Sequence, residues 1–283
     1  APRAILGGFI EGPLLWRGPS DVLVHTEAMA RNWVARYDSL GYRQIKLYNV
    51  VHPDLVPTIA AETRRRGMRL SGHIPRGLSV NAAIRLGFDE INHGAFLFST
   101  LYPDSVFVPE MRAYSLVASI VARNTNVDGP EMSALIADLK AHNTVVDGTF
   151  NLWMQDSLGA DSTGARANNR AYLRLIKRLH DAGVTLVAGT DGSSYNRELE
   201  HYEMAGIPAR EVLQIATITA ARVMGEERDY GSIAAGKVAD LVIIDGQPHE
   251  RIADLRKVTL VMRGGRGYEP AALLQAVNTS VYR

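Results

Sequence analysis

Short apolar runs alternate with longer amphipathic segments along most of the chain. The apolar runs are rich in Val, Ile and Leu and have the length of buried strands. We predict six of them, which begin at Ala4, Gln44, Met68, Phe88, Thr144 and Val184. The segments between them have the length and periodicity of helices. Strands that alternate with helices indicate a parallel sheet with right-handed crossovers.

Capping residues mark where several helices should begin and end. Ser20 is predicted to cap the first helix, and Gly41 to follow its last turn. Pro57 suits the first turn of the second helix, Ser79 should cap the third, and Pro130 should open another. These residues have the backbone preferences that helix ends require.

The rest of the chain is less uniform. Further helices are predicted over 166–182, 208–215 and 217–224. The irregular segment 95–128 is rich in aromatic residues, which either line the site or bury core area. The last part of the chain, with "GSIAAGKVADLVIIDG" and "VTLVMRGGR", is rich in strands and unlike what precedes it.

Six parallel strands fit either an open doubly wound sheet or most of an eight-stranded barrel. The open sheet requires a glycine-rich phosphate turn after an early strand, and "LGGFIEG" lacks the GxGxxG spacing. A barrel instead predicts functional side chains at the carboxyl ends of several strands. The residues at the carboxyl ends of the predicted strands therefore test whether the fold is a barrel.

Composition narrows the class of protein. The 283 residues are 46% hydrophobic and 22% charged with a formal net charge of +1, which is typical of a soluble globular protein. We therefore expect neither a nucleic-acid partner nor a membrane span. The absence of cysteine excludes disulfides, thiolate catalysis and cysteine-bound zinc. It does not distinguish the cytoplasm from the periplasm.

Four residues that bind metals or transfer protons stand near strand ends. Lys46 lies in "QIKLYN", His73 ends "LSGHIP", His93 ends "EINHG" and Asp191 ends "VAGTDG". Each has an ordinary structural explanation, such as a hydrogen-bonded histidine, a snorkelling lysine or a capping aspartate. Their equivalent positions on four strands favour one shared site at a barrel mouth. Tyr48 would lie on the same face as Lys46 and either contact substrate or pack in the barrel.

These motifs, in this order, resemble the later metal-site strands of the amidohydrolase superfamily. "AREVLQIATITAARVMG" followed by "GSIAAGKVADLVIIDGQP" is similar to its C-terminal signature, and "VTLVMRGGRGYEPAALL" to the end of its imidazolonepropionase- and prolidase-like branch. The resemblance implies an α/β fold: a (β/α)8 TIM-type barrel lacking its first strands, over 1–228. Over 229–283 it implies strands of a small β-sandwich and a C-terminal tail.

The resemblance also implies one or two divalent metal ions at the barrel mouth. Lys46 would be a bridging ligand, carboxylated in many members, while His73 and His93 would bind the second metal. Asp191 would bind the first metal and act as the general base. With histidine and oxygen ligands, zinc is the first expectation, and manganese and iron are the alternatives.

One departure from the family pattern concerns the first metal. The family's first barrel strand carries a His-x-His pair, and the chain contains none. The first two barrel strands are also missing, and the chain begins at Ala1 without a methionine. We therefore expect a C-terminal portion of a longer protein, which would associate with the missing segment or with further copies of itself.

Three functions remain open at this point. The first is a metal-dependent hydrolase that cleaves an amide, peptide or cyclic amide bond in a small molecule or dipeptide. The second is a catalytically incomplete fragment or scaffold that lacks the His-x-His pair. The third is a Schiff-base lyase in which Lys46 attacks a carbonyl. The two histidines and the aspartate favour the hydrolase over the lyase.

Overall fold

The computed structural model describes residues 3–12, 21–99, 122, 124–154 and 162–277. The chain divides into two compact units, Ala1–Asp191 and Gly192–Arg283. The boundary expected between 228 and 229 falls inside the second unit and stays a prediction. In the described ranges, no helix is long and apolar enough to cross a membrane.

The first unit is built on a parallel sheet of six strands. They are β1 (Gly7–Ile10), β2 (Gln44–Leu47), β3 (Arg69–Gly72), β4 (Glu90–Asn92), β5 (Val145–Asp147) and β6 (Leu186–Val187). Each strand pairs with the next one along the chain, so the spatial order is β1-β2-β3-β4-β5-β6. A doubly wound sheet reverses its order at a switch point, whereas a barrel does not. The strand order therefore agrees with the expected α/β barrel.

One row of residues crosses all six strands and fixes their register. Its members face one another in the ladder and are Ile10, Leu47, Gly72, Ile91, Val146 and Leu186. Its five apolar side chains are at most 2% exposed. Because side chains alternate along a strand, the neighbouring positions project to the other face, and these include Lys46, Glu90 and Asp147. A slip of one residue would exchange the two faces, so the apolar row also places the polar residues.

Seven helices of the first unit lie in the described ranges. They are α1 (Glu27–Ser39), α2 (Val56–Arg65), α3 (Val80–Leu86), α4 (Ala95–Ser99), α5 (Pro130–Ala141), α6 (Phe150–Trp153) and α7 (Ser162–Asp181), with a 3₁₀ turn at Pro53–Leu55. Pro57 and Pro130 lie in first turns, as predicted. The Ser79 hydroxyl accepts a hydrogen bond from the amide of Ala82, which confirms the predicted cap.

The prediction for the start of the first helix is wrong. Ser20 lies outside the described residues, and α1 begins only at Glu27, with Thr26 as its cap. The preceding Val-Leu-Val run is extended instead, because the backbone of Glu11 bonds to it on both sides. The amide of Glu11 donates to the carbonyl of Val22, and the amide of Val24 donates to the carbonyl of Glu11. A tertiary contact thus overrides the capping signal.

The second unit combines helices with a small antiparallel sheet. Its elements are α8 (Tyr195–Met204), α9 (Ala209–Gln214), a π-helical turn (Ile215–Thr219), α10 (Ala220–Val223), β7 (Leu241–Ile244), a 3₁₀ turn (Ile252–Arg256), β8 (Val258–Arg263), β9 (Arg266–Tyr268) and α11 (Pro270–Val277). The sheet order is β7-β8-β9. The helices predicted over 208–215 and 217–224 are one continuous stretch, because Gln214 and Ile215 keep helical backbone angles.

Gly72 lets β2 and β3 approach each other. Its φ is +134°, and a Cβ atom there would lie 2.2 Å from the carbonyl oxygen of Leu47. We expect Gly72→Ala to lower the free energy of unfolding by about 2–4 kcal/mol, since overpacking and backbone strain add. Urea unfolding measures this. Gly7→Ala in β1 is the control, because its Cβ would meet Gln44 at an ordinary 3.9 Å; equal losses in both variants would contradict the close approach.

Candidate functional site

The predicted site residues lie at or just beyond the carboxyl ends of four strands. Lys46 is the third residue of β2, while His73 and His93 directly follow β3 and β4. Asp191 comes four residues after β6 and is exposed to solvent. Parallel strands end on the same side of a sheet, so all four residues reach one edge.

The two histidines are in direct contact. Their Nε2 atoms are 3.0 Å apart, and their rings meet edge to face with centroids 4.8 Å apart. Burial, together with the positive charge of Lys46, lowers the pKa of His93 to about 3. Burial also lowers the pKa of His73 well below its ordinary value, and His93 and Lys46 add to this. Both rings are therefore neutral at pH 7, the form in which imidazole binds metals.

His93 is fixed by the loop that follows β5. Its amide donates to the carbonyl of Asp147 at 2.8 Å, and the amide of Gly94 donates to the carbonyl of Gly148 at 2.7 Å. The Nδ1 atom of His93 lies 2.6 Å from the hydroxyl oxygen of Thr149. Backbone and side chain together thus orient Nε2 of His93 towards His73.

Aromatic rings surround the histidine pair. The ring centroid of Tyr48 is 4.3 Å from that of His73, and the ring of Phe96 is 5.1 Å from it. Trp153 meets His93 edge to face at 6.2 Å. Burial raises the pKa of Tyr48 to about 12, with Asp191 and Glu11 contributing, so its hydroxyl stays protonated. Tyr48 thus lies beside the candidate site, and whether it contacts substrate or packs in the barrel stays a prediction.

Lys46 lies in a partly desolvated position among aromatic and acidic groups. Its Nζ atom is 5.7 Å from the ring centroid of Phe9 and 5.6 Å from that of Tyr48. Burial lowers its pKa, although the carboxylates of Asp191, Asp147 and Glu90 act in the opposite direction. The neutral amine is therefore easier to form here than on an exposed lysine.

Sequence reasoning missed the polar network beneath this edge. The Nδ2 atom of Asn92 donates to Oε1 of Glu90 at 3.0 Å and to Oδ2 of Asp147 at 3.2 Å. Gly189 makes room for Asp147, because a Cβ there would lie 1.8 Å from Oδ1. The sequence does contain a signal for Asp147. "TVVDG" ends an apolar strand in aspartate and glycine, as "VAGTDG" does at Asp191.

Unusual backbone angles cluster at the same strand ends. Among the described residues, the non-glycine residues with positive φ are His93, Asn143, Thr149 and Asp191. Three of these four follow β4, β5 and β6, with φ of +67°, +42° and +44°. Such angles persist only where the surroundings impose them, and they cluster at functional sites. The strain thus coincides with the candidate site.

The histidine pair fits two ligand positions of a divalent ion. Zinc bound tetrahedrally at 2.0–2.1 Å places its nitrogen ligands about 3.3 Å apart, close to the 3.0 Å that separates the two Nε2 atoms. Within the described ranges, no three His, Asp or Glu side chains are grouped so as to hold a metal ion. Segment 95–128 was expected either to line the site or to bury core area, and its residues 100–121 and 123 lie outside the described residues.

Comparison with known proteins connects this arrangement to a family. A sequence model of the Amidohydrolase family matches residues 26–267. A 5-methylthioadenosine/S-adenosylhomocysteine deaminase of Moorella thermoacetica is 34% identical over 90 residues, which cover 26% of this chain and 21% of the deaminase.

Solved structures confirm the fold. A Xaa-Pro dipeptidase with bound methionine superposes with a TM-score of 0.62 at 20% identity, covering 88% of this chain and 60% of the dipeptidase. A prolidase in complex with N-methylphosphonate-L-proline gives a TM-score of 0.55 at 19% identity, covering 87% of this chain and 60% of the prolidase. The chain thus spans about three fifths of these structures and a fifth of the curated relative.

The buried histidines predict a pH dependence of stability. The unfolded chain protonates His93 below its ordinary pKa of 6.5, whereas the folded chain does so only near pH 3, so folding releases a proton in between. In metal-free protein, we expect the free energy of unfolding to fall by about 1.4 kcal/mol per pH unit for this histidine as pH drops below 6.5. His93→Gln should reduce this slope. Chemical unfolding between pH 7 and about 4 measures it.

The exposed His52 provides the control for this experiment. His52→Gln should leave the pH dependence as in the unsubstituted chain. An equal slope in the unsubstituted chain and in His93→Gln would show that His93 is not buried as a neutral ring.

Proposed function

The chain belongs to the amidohydrolase family, and we propose that it contributes the metal-binding barrel strands of an enzyme that hydrolyses a C–N bond. The observation that carries the proposal is the pair of neutral imidazoles, whose Nε2 atoms lie 3.0 Å apart at the sheet edge. Two such nitrogens, next to a lysine and a carboxylate, form a donor set suited to a divalent ion. Zinc is the ion we propose first.

In this proposal, His73 and His93 would hold one ion, Asp191 would be a ligand of a first ion beside it, and Lys46 would be a further ligand. A bound divalent ion supplies a water of lowered pKa and polarises the scissile carbonyl. Asp191 acts as the general base, accepting a proton from the attacking water and passing it to the leaving nitrogen. Its exposure suits a group that must meet both water and substrate.

We also propose that the Lys46 amine is carboxylated to a carbamate. Carbamate formation requires the neutral amine, which attacks carbon dioxide and releases a proton. Burial lowers the pKa of Lys46 and thus favours that form. The resulting anion would offer oxygen ligands where the ammonium offers none. The same shift would suit a Schiff-base nucleophile, so the lyase with Lys46 stays the third prediction.

The substrate we propose is a dipeptide, with Xaa-Pro bonds first, or a cyclic amide. Similarity to structures named as a Xaa-Pro dipeptidase and a prolidase supports this choice. The rings of Tyr48, Phe96 and Trp153 give the site apolar walls against which a small substrate can pack. The deaminase relative makes aminopurine nucleosides the competing substrate class for a screen.

A second candidate is a chain that is catalytically incomplete by itself. It is favoured by one observation: within the described ranges, only two imidazoles converge and no third His, Asp or Glu completes a metal site. The chain would then bind metal weakly, and the full activity would need ligands from elsewhere. Metal affinity distinguishes this candidate from the first.

Metal content tests the proposed site. We expect about one or two divalent ions per chain after reconstitution with zinc, and loss of bound ion in Lys46→Ala and His73→Ala. Elemental analysis by mass spectrometry measures this, with His52→Ala as the control because His52 is an exposed histidine. Equal metal content in all four proteins would contradict the assignment of Lys46 and His73.

The role of Asp191 is tested by Asp191→Asn. We expect turnover of a cleaved dipeptide or cyclic amide to fall by about 10²–10⁴-fold, since the amide cannot accept the proton. Steady-state kinetics measures this, and elemental analysis shows whether metal is retained. Asp54→Asn, which removes an exposed carboxylate from the 3₁₀ turn, is the control. Unchanged turnover in Asp191→Asn would exclude Asp191 as the general base.

A further inference from the structure

Thr149 occupies a backbone conformation that its side chain disfavours. It lies two residues after β5, with φ +42° and ψ +36°, in the left-handed region. A β-branched residue is a genuine outlier there, whereas glycine and asparagine adopt this conformation readily. Its side chain does not cap α6, the helix that follows it. The choice of threonine is therefore explained neither by the turn nor by the helix.

The hydroxyl of Thr149 explains that choice. The side chain is 2% exposed, and its oxygen lies 2.6 Å from Nδ1 of His93. The ring nitrogen opposite, Nε2, is the one that faces His73. A hydroxyl rotates and can either accept from a protonated Nδ1 or donate to an unprotonated one. When Nδ1 carries the ring proton, the Thr149 hydroxyl accepts it, and the lone pair of Nε2 then lies on the side of His73.

Phe150 keeps this pair of residues in place. A Cβ on either Gly94 or Gly148 would lie 2.1 Å from the Phe150 ring, so the ring is packed tightly against both turns. Those two turns are also joined by the hydrogen bond from the amide of Gly94 to the carbonyl of Gly148. The loops after β4 and β5 therefore form one interlocked unit that carries both His93 and Thr149.

We propose that Thr149 is a positioning residue: its hydroxyl accepts the Nδ1 proton of His93 and thereby presents the Nε2 lone pair to a metal ion. This inference rests on the proposed function, because it assigns His93 as a metal ligand. Partners of this kind fix the tautomer and ring orientation of metal-binding histidines, and their loss weakens metal binding by about 10–100-fold. Thr149 itself binds neither metal nor substrate.

Zinc affinity of the full chain tests the proposal. Thr149→Val keeps the shape and the β-branch but removes the hydroxyl, and Thr149→Ser keeps the hydroxyl without the branch. We expect Zn²⁺ affinity, measured by competition with a chromophoric chelator, to fall about 10–100-fold in Thr149→Val and to stay near that of the unsubstituted chain in Thr149→Ser. Thr149→Ala replaces Thr149→Val if the latter does not fold.

Thr144→Val is the matched control. Thr144, which lies just before β5, is also a buried threonine and is 1% exposed. Its hydroxyl, however, donates to the carbonyl of Phe88 and not to a histidine. Its substitution should leave Zn²⁺ affinity unchanged, which separates a local effect from a general loss of stability. Affinity within about twofold of the unsubstituted chain in Thr149→Val, or in Thr149→Ala where Thr149→Val does not fold, would overturn the positioning role.

A second measurement separates this inference from the proposed function. Nitrogen-15 correlation spectra of the eight histidine rings report the state of each ring nitrogen in metal-free protein. We expect the Nδ1 shift of His93 to change in Thr149→Val and not in Thr149→Ser. If the unsubstituted chain binds no Zn²⁺, the proposed function fails, yet this spectral difference would still support the contact. An unchanged Nδ1 shift of His93 in Thr149→Val would overturn the proposed contact between the Thr149 hydroxyl and His93.

Discussion

Burial of two imidazole rings at the ends of neighbouring strands is the constraint on which the candidate site depends. A histidine in water is half protonated near pH 6.5, and two charged rings with nitrogens 3.0 Å apart would repel each other. Desolvation removes both charges, so the rings can face each other as neutral groups. The aromatic walls that exclude water are therefore as important to the site as the nitrogens themselves. Lys46 acts in the same direction, because its positive charge further disfavours imidazolium.

The register of the sheet decides that the two imidazole rings meet. The apolar row from Ile10 to Leu186 aligns six strands, and that alignment brings His73 and His93 to the same edge. The loops after β4 and β5 then lock together through backbone hydrogen bonds and the Phe150 ring. The strained residues His93 and Thr149 lie in these two loops and are held in place by this packing. Stability of the sheet and geometry of the site thus depend on the same contacts.

Much of the architecture could be predicted from sequence because the strands are short, apolar and regularly spaced. The helix starts predicted from the Ser79 cap and from Pro130 in a first turn are correct, since these signals are local. The start of α1 was wrong because a partner distant in sequence, Glu11, decides whether 21–25 is extended. The network of Glu90, Asn92 and Asp147 escaped notice for a related reason. Asn92 bonds to Glu90 within β4 and to Asp147 on the neighbouring β5, and only the register shows that Asp147 meets these side chains.

The sequence predicts that His73 and His93 share one site, but it predicts neither their direct contact nor the residues that support it. The motifs placed His73 and His93 at one barrel mouth, but nothing in the sequence distinguishes Thr149 from any other residue in a "DGT" turn. Its role emerges only from its distance to Nδ1 of His93 and from its backbone angle. Local strain is not visible in a pattern of hydrophobic and polar residues, because neighbours from other strands impose it.

The central claim is that the two imidazoles bind one divalent ion together. X-ray absorption spectroscopy of the zinc-loaded chain, compared with His73→Ala and His93→Ala, tests it most directly. We predict two imidazole nitrogens at about 2.0–2.1 Å from zinc in the unsubstituted chain, with oxygen ligands completing the shell. Each variant should lose one of these nitrogens. A zinc ion without imidazole ligands, or a chain that binds no zinc at all, would contradict the account.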